Sequence, residues 1–302
     1  MTTAADKWNL EPYAFNSMTP IEQDCALGAF SDFIWLFYGA QKRNFPWRDT
    51  KDPYNILLSE MMLQQTQTSR VLPKYLLFIE TWPNFQALSN APLTDILKYW
   101  QGLGYNRRAL ALSEIAKKSE AFGWTLPPDQ QKLQTLPMVG PATSAAILAF
   151  AYNRQSIYLE TNIRRVLIHQ FFNEEEQVSD RQLKDLLFRM VQLQSDYRNW
   201  YYALMDYGAY LARLLPNPNR RSLHYKKQGE FKNSNRQIRG LLLTVFTEQG
   251  PVTKQQLYHQ LPFEDERIDS CIEALLKEKF IARRSKMSVA EKDIRYGIVA
   301  DE

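Results

Sequence analysis

Cysteine is scarce in this chain of 302 residues, which contains only Cys25 and Cys271. Two thiols so far apart exclude a disulfide framework, and they exclude a cysteine-ligated cluster or zinc site within one chain. The sequence therefore predicts that the protein needs no metal and no other cofactor. A reducing, cytoplasmic location is the simplest interpretation.

Long apolar runs are also missing. Residues 1–17 contain no apolar core of the kind that a signal peptide needs. The longest apolar run, 30–40, is interrupted by Ser31 and Asp32 and is too short to cross a bilayer. We therefore expect a protein that works without a membrane.

A strong overall charge is the third absence, because 37 basic residues are balanced by 33 acidic ones. The excess is concentrated at 217–239, where seven basic residues accompany Glu230 as the only acid. Such a run is usual for a solvated loop, and it also suits binding to a polyanion. We interpret 217–234 as a basic linker between two domains.

The stretch 136–162, LPMVGPATSAAILAFAYNRQSIYLETN, carries the clearest local pattern. A glycine turn at Gly140 precedes an apolar helix that we predict over 143–152. The unpaired N–H groups at a helix start are a natural seat for phosphate. Glu160 follows just before a second helix start, so the stretch offers a phosphate site and a positioned carboxylate. An ordinary turn of a helical protein has the same appearance.

Helical periodicity dominates the first 216 residues, and no strand is predicted there. The predicted helices span 21–41, 54–67, 70–80, 92–99, 106–121, 143–152, 162–173, 180–194 and 196–214. Glu60 lies among apolar neighbours in the second of these helices. It is either an edge residue facing solvent or a buried acid with a raised pKa.

After the linker the pattern changes. Helices are predicted over 235–248 and 264–279, with Thr253 as the N-cap of a helix between them. The alternating segments 280–287 and 294–300 predict a two-stranded ribbon, so 235–302 is interpreted as a winged helix-turn-helix domain. The helix 264–279 carries many acids, which leaves both DNA and a protein partner open for this domain.

Six ordered blocks in the first 216 residues carry a resemblance to a known family. They are FPWR (45–48), DPYNILLSEMMLQQTQ (52–67), WQGLGYNRRALAL (100–112), LPMVGPATSAAILAF (136–150), YLETNIRRVL (158–167) and MDYGA (205–209). The chain resembles the helix-hairpin-helix (HhH-GPD) DNA glycosylases of the endonuclease III superfamily, and most closely the MutY adenine glycosylase branch. The resemblance implies a mainly α fold with a two-lobed core at 1–216. It implies a six-helix lobe at about 54–156 and a second lobe from 20–53 plus 157–216.

The resemblance also implies a role for each of several residues. Glu60 would be the general acid that protonates the target base, and Glu160 would be the second catalytic carboxylate. Trp47, Arg48 and Leu63 would line the pocket for the flipped base, and Gln65 and Tyr105 would enter the vacated stack. Asn162 would support the catalytic loop. The residues expected to contact the DNA backbone are Val139, Gly140, Thr143, Arg107, Arg220, Arg221, Lys226 and Lys227.

The chain departs from the family in several places. Glu160 stands where the family has aspartate, so its carboxylate extends one methylene further. The four cysteines of the iron–sulfur loop are missing, and so is the 8-oxoguanine-reading domain. Ala142 stands where lyase members have a Schiff-base lysine, and Met138 replaces a glycine of the hairpin.

We therefore expect a monomeric, nucleoid-associated DNA repair enzyme whose partner is double-stranded DNA with a mismatch or lesion. It would flip a base and hydrolyse its N-glycosidic bond without cutting the strand, and adenine in a mismatch is the expected target. Two alternatives stay open: another mismatched or modified base, and a non-catalytic protein that binds or regulates DNA structures.

Overall fold

The computed structural model describes residues 6–227, 229–284 and 294–299. Over these ranges the protein is mainly helical, which confirms the predicted fold class. The helices are α1 (Pro20–Gln41), α2 (Pro53–Leu63), α3 (Thr68–Thr81), α4 (Phe85–Ser89), α5 (Leu93–Trp100), α6 (Arg107–Lys118), α7 (Gln130–Gln134), α8 (Pro141–Tyr152), α9 (Thr161–Phe171), α10 (Asp180–Val191), α11 (Tyr197–Leu214), α12 (Asn235–Gln249), α13 (Lys254–Gln260) and α14 (Asp265–Lys277). None of them is long and apolar enough to span a bilayer.

Local capping chemistry sets several helix starts. Thr253 caps α13 as predicted, because its side chain accepts from the N–H of Gln256 while the Gln256 side chain returns to the N–H of Thr253. The same reciprocal box opens α1 and α10. The helices α4 and α7 have only five residues each, too few to give a helical period, and the sequence did not predict them.

Contacts divide the chain into two compact units. The first consists of Met1–Ile56, Pro128–Gln134 and Val139–Lys227, and the second of Leu57–Pro127, Thr135–Met138 and Gln228–Glu302. The hairpin helix α8 thus groups with the first unit, whereas the predicted six-helix lobe included it. The predicted C-terminal domain groups with 57–127. The domain boundaries drawn from the sequence stay a prediction.

The first unit is centred on α9 and α11, which pack along each other, and α1 packs against α11. Aromatic side chains fill this core. Phe30 and Phe171 meet edge to face with ring centroids 5.0 Å apart, and Phe37 meets Tyr207 at 5.2 Å. Large apolar surfaces removed from water in this way supply the main driving force for folding.

The second unit contains the only sheet among the described residues. Its strands are β1 (Val252–Thr253), β2 (Ile281–Arg284) and β3 (Arg295–Ile298), in the antiparallel order β1-β3-β2. The sequence predicted β2 and β3 but not β1, since two residues cannot show alternation. Residues 285–287 and 300 of the predicted ribbon lie outside the described residues. The helices α12, α13 and α14 complete the elements expected of a winged helix-turn-helix, and that assignment stays a prediction.

Candidate active site

One buried arginine holds together the two loops that carry the predicted wedge residues. The guanidinium of Arg108, on α6, is 1% exposed and donates to the carbonyls of Met61, Met62 and Gln64 at 2.7–2.9 Å. Its other terminal nitrogen, Nη2, donates to the backbone carbonyls of Leu103 and Gly104 at 3.2 and 2.7 Å. Burial lowers the pKa of Arg108 to about 10. No sequence pattern indicated this role for Arg108, and its only signal was its place shortly after the Gly-X-Gly turn 102–104.

Gln65 and Tyr105, the two predicted wedge residues, both adopt left-handed backbone conformations, with φ of +56° and +50°. Helix α2 ends at Leu63, so the predicted helix over 54–67 was too long. Arg108 stabilises this helix end, because it donates to carbonyls of the last turn that have no partner within the helix. Left-handed non-glycine residues cost about 1–2 kcal/mol, and such strain is concentrated at functional sites. The structure therefore brings the two wedge candidates into one preorganised loop pair.

The phenol of Tyr105 is already engaged by the C-terminal part of the second unit. Its hydroxyl accepts from Nη1 of Arg236, on α12, at 2.7 Å. Gln65 is exposed, and both wedge candidates border a cavity of about 500 Å³ whose other wall is α12. Arg236 is a further residue that the sequence analysis did not select, and its place in the basic run was its only signal.

Glu60 lies in α2, one helical turn before its end. Its neighbours Leu57, Leu58, Met61 and Met62 are fully buried, and Glu60 itself is partly buried. The sequence left open whether this residue is a solvent-facing edge or a buried acid, and the structure places it between these extremes. Leu63, a predicted pocket residue, is also partly buried at the last position of α2.

Glu160 is the N-cap of α9. Its Oε1 accepts from the N–H groups of Asn162 and Ile163 at 2.7 and 2.9 Å. Such bonds stabilise the ionised carboxylate, and the positive end of the helix dipole adds to the effect. Burial has the larger influence, and it raises the pKa of Glu160 above its ordinary value. The result is a fixed carboxylate in a poorly hydrated place, suited to facing a developing positive charge.

Asn162, the predicted support of this loop, links Glu160 to Arg165, which lies one turn further along α9. Its Nδ2 donates to Oε2 of Glu160 at 3.3 Å, and its Oδ1 accepts from Nη1 of Arg165 at 2.7 Å. The same nitrogen of Arg165 donates to the carbonyl of Gly208 on α11 at 2.9 Å. The carboxylate is thus fixed through α9 to the core of the first unit.

The hairpin turn before α8 differs from the glycine turn that the sequence suggested. Gly140 has extended backbone angles, φ −87° and ψ −174°, whereas the left-handed position is Met138 with φ +57°. Helix α8 begins at Pro141, two residues earlier than predicted. Val139 and Thr143 are buried, and Gly140 is exposed at the N-cap. Of the three residues predicted to contact the DNA backbone here, Gly140 is the one that is exposed.

Trp47 and Arg48, predicted pocket residues, lie in a short 3-10 turn of the first unit. The indole of Trp47 is 4% exposed and stacks on Phe45 with centroids 4.8 Å apart. The guanidinium of Arg48 forms a two-fold pair with Asp206 on α11, at 2.7 and 2.8 Å, and lies 4.4 Å from the ring centroid of Tyr202. Arg48 therefore has a structural role, through Asp206 of the MDYGA block, in addition to its predicted one.

The predicted backbone contacts of the basic linker fall into two groups. Arg220, Lys226 and Lys227 are exposed. Arg221, in contrast, donates through Nη1 to the carbonyls of Phe172 and Asn173, both at 2.7 Å. It completes the C-terminal end of α9, where cations are favoured by the helix dipole. The sequence did not distinguish Arg221, which donates to backbone carbonyls, from the three exposed basic residues near it.

The residues present do not fit the iron–sulfur cluster that the family resemblance implies. Cys25 is exposed on α1 in the first unit, and Cys271 is buried on α14 in the second. Residues 215–239 contain no thiol, and a cluster of this kind needs four. No step of the chemistry is assigned to such a group.

Comparison with known proteins gives one consistent family. A family described as "HhH-GPD superfamily base excision DNA repair protein" matches residues 58–189. The chain is 30% identical over 278 residues to the adenine DNA glycosylase of Mycobacterium tuberculosis, with 83% of this chain and 89% of that protein covered. It is 35% identical over 181 residues to the adenine DNA glycosylase of Buchnera aphidicola, of which it spans 50%.

Among solved structures, a thermostable thymine-DNA glycosylase is similar, with a TM-score of 0.55 at 25% identity. That similarity covers 63% of this chain and 88% of the other.

Proposed function

We propose that this chain, which belongs to the HhH-GPD superfamily of base excision DNA repair proteins, is a DNA N-glycosylase that removes adenine from mismatched duplexes. The observation that carries this proposal is the 30% identity to an adenine DNA glycosylase over 83% of the chain. The family match at 58–189 includes both carboxylate positions, Glu60 and Glu160. The preorganised loops around Gln65 and Tyr105 support the proposal, because base flipping needs side chains that fill the vacated space.

The chemistry is divided between two carboxylates. Glu60 donates a proton to a ring nitrogen of the target base, which makes the base a better leaving group. Glu160, fixed by the N-terminus of α9, stabilises the positive charge that develops on the sugar as the bond breaks. Water then adds to the sugar carbon, and the proton that it releases restores the acid form of Glu60 through solvent. Trp47, Arg48 and Leu63 are the proposed pocket for the flipped base.

The proposed reaction stops at base removal. Ala142, at the first turn of α8, has no amine with which to form a Schiff base to the sugar. The strand therefore stays intact after the glycosidic bond is cut. We also propose that the protein acts as a monomer on the nucleoid in the cytoplasm, with duplex DNA as its partner. The C-terminal domain contacts either that DNA or another protein.

A second candidate function keeps the fold and changes the base. The similarity to a thymine-DNA glycosylase at 25% identity favours a mismatched pyrimidine as this alternative. A panel of duplexes distinguishes the two candidate functions, because each duplex contains one target base in one defined pairing.

The deciding experiment measures base release over that panel with the parent and with Glu60→Gln. We expect adenine release by the parent, and a loss of about 10²–10⁴-fold in the variant with duplex binding retained. Glu114→Gln is the matched control, because Glu114 is an exposed acid of α6 in the same unit. Equal activity of parent and Glu60→Gln would remove Glu60 from the mechanism. Release of thymine alone would support the second candidate, and an inert parent would leave the non-catalytic alternative.

A further inference from the structure

One carboxylate in the second unit is held by two arginines from different helices. Glu278, directly after α14, accepts from Nε and Nη2 of Arg107 at 2.8 and 2.6 Å. It also accepts from Nη1 and Nη2 of Arg239, on α12, at 2.9 and 2.5 Å. Each carboxylate oxygen therefore receives two N–H groups, and two positive charges face one negative charge.

The position of Glu278 is unfavourable for an acid in the absence of these arginines. It follows the last residue of α14, where the negative end of the helix dipole repels a carboxylate. The hydrogen bonds from Arg107 are the main reason why the pKa of Glu278 falls to about 2. An acid at this end of a helix thus depends on two cations that would otherwise be available to another anion.

The surroundings of Arg107, Arg239 and Glu278 are suited to binding a phosphate. A cavity of about 380 Å³ opens beside it, lined by Arg107, Arg239 and Glu278 and also by Arg236. Arg108 lines it too, although its guanidinium is committed to backbone carbonyls. The side chain of Arg107 is 64% exposed, so an incoming group can reach it. Gln65 and Tyr105 form part of the same wall, which places the cavity beside the wedge loops.

We propose that Arg107 and Arg239 form a binding site for a phosphodiester of the DNA backbone, and that Glu278 occupies this site in the free protein. A phosphodiester presents two non-bridging oxygens that share one negative charge, as the carboxylate of Glu278 does. Four donors in two planar forks suit both groups. Binding of DNA exchanges one anion for the other, and Glu278 moves out towards solvent. This inference rests on the proposed function only in so far as that function requires DNA binding.

The exchange makes Glu278 a built-in competitor. Every DNA molecule that binds must displace a carboxylate already held by two arginines, so the parent binds duplexes more weakly than its arginines allow. A purely structural ion pair makes the opposite prediction. In that case Glu278 ties α6 to α12, and its loss should loosen the second unit and weaken DNA binding.

The test is a titration of the full chain with an undamaged fluorescent duplex over a range of salt concentrations. We expect Glu278→Gln to bind roughly tenfold more tightly than the parent at low salt. Its plot of log K against log salt should keep the parent slope, because the same phosphates are neutralised in both complexes. Glu273→Gln is the matched control, since Glu273 lies on α14 and pairs with Arg283 outside the cavity. It removes the same charge and should change neither affinity nor slope.

A second variant assigns the gain to the proposed arginines. Adding Arg239→Gln to Glu278→Gln should remove the gain in affinity and make the slope shallower than the parent's by up to about 0.9, since that phosphate is no longer neutralised. Unchanged or weaker binding by Glu278→Gln overturns the proposal, and so does a gain that persists without Arg239. If inorganic phosphate at matched ionic strength stabilises Glu278→Gln while its duplex affinity stays at the parent value, the site serves a free anion and the proposal fails. A parent that binds duplexes but releases no base contradicts the proposed function alone.

Discussion

Gly208 packs directly on the backbone of Asn162: a Cβ added at Gly208 would lie 2.3 Å from the Asn162 carbonyl oxygen. The glycine of the MDYGA block therefore sets how closely α11 approaches the start of α9, and with it the position of Glu160. Space, and not backbone conformation, is the reason for glycine here.

Gly208→Ala should force the two helices apart. We expect the free energy of unfolding to fall by about 1–3 kcal/mol, the usual cost of overpacking, and base release to fall with it. Denaturant titration and a base-release assay measure the two effects. Gly28→Ala on α1 is the control, because a Cβ added there would meet nothing within 4 Å and the change should be neutral or slightly stabilising. Full activity of Gly208→Ala would show that the site tolerates movement of α9.

Arg108→Lys should separate the two wedge loops. Lysine keeps the charge but cannot donate to both loops at once, so buried carbonyls lose their partners. We expect the free energy of unfolding to fall by about 3 kcal/mol. At temperatures where the variant is folded, base release should fall more than duplex binding does. Arg181→Lys serves as the control for stability, since the side chain of Arg181 is 92% exposed. A stable and active Arg108→Lys would contradict the positioning role.

Glu160→Asp restores the residue that the family has at this place. Aspartate is a good N-cap, so α9 should remain intact. If the loop is adapted to the longer side chain, the shortened carboxylate retreats from the sugar and base release drops about 100-fold, as a misplacement of about 1 Å can do. Glu160→Gln keeps an acceptor for the N–H groups of Asn162 and Ile163 but removes the charge, and it should be nearly inactive. A rise in activity with Glu160→Asp would show instead that the parent site is impaired.

The basic linker should affect DNA binding through its exposed residues. Replacing Arg220, Lys226 and Lys227 by glutamine should flatten the salt dependence of log K by roughly 0.9 for each phosphate that the variant no longer neutralises. Arg221→Gln should instead lower the free energy of unfolding, because carbonyls at the end of α9 lose their donor. Binding titrations and thermal unfolding distinguish the two results. Identical salt slopes for the triple variant and the parent would show that the linker does not touch DNA.

The pH dependence of stability should report on Glu278. Its pKa is lowered from the ordinary 4.5 to about 2, so its ionised form stabilises the folded state at pH values above 4.5. That contribution should disappear as the pH falls from 4.5 towards 2. The parent should therefore exceed Glu278→Gln by about 1–2 kcal/mol near neutral pH and lose this advantage in acid. Parallel stability curves for the two proteins from pH 7 to 2 would contradict the ion pair.

The sequence predicted those features that depend on neighbouring residues. The N-cap at Thr253 follows from a spacing of three residues to Gln256, and the long helices follow from their apolar period. The end of α2 could not be predicted in this way, since it depends on Arg108, more than forty positions along the chain. Glu278 is a similar case, because its role depends on arginines of α6 and α12 that no local pattern connects to it.

The shared anchor at Arg108 has a consequence for motion in the second unit. Both loops accept hydrogen bonds from the guanidinium of Arg108, so they cannot open separately. If either loop moved away, the guanidinium that binds the other loop would lose part of its buried hydrogen bonds. In a hydrogen-exchange experiment their amides should therefore exchange as one cooperative group, with a common opening free energy and a common response to temperature. The two segments would behave as a single moving part, even though about forty residues separate them in the chain.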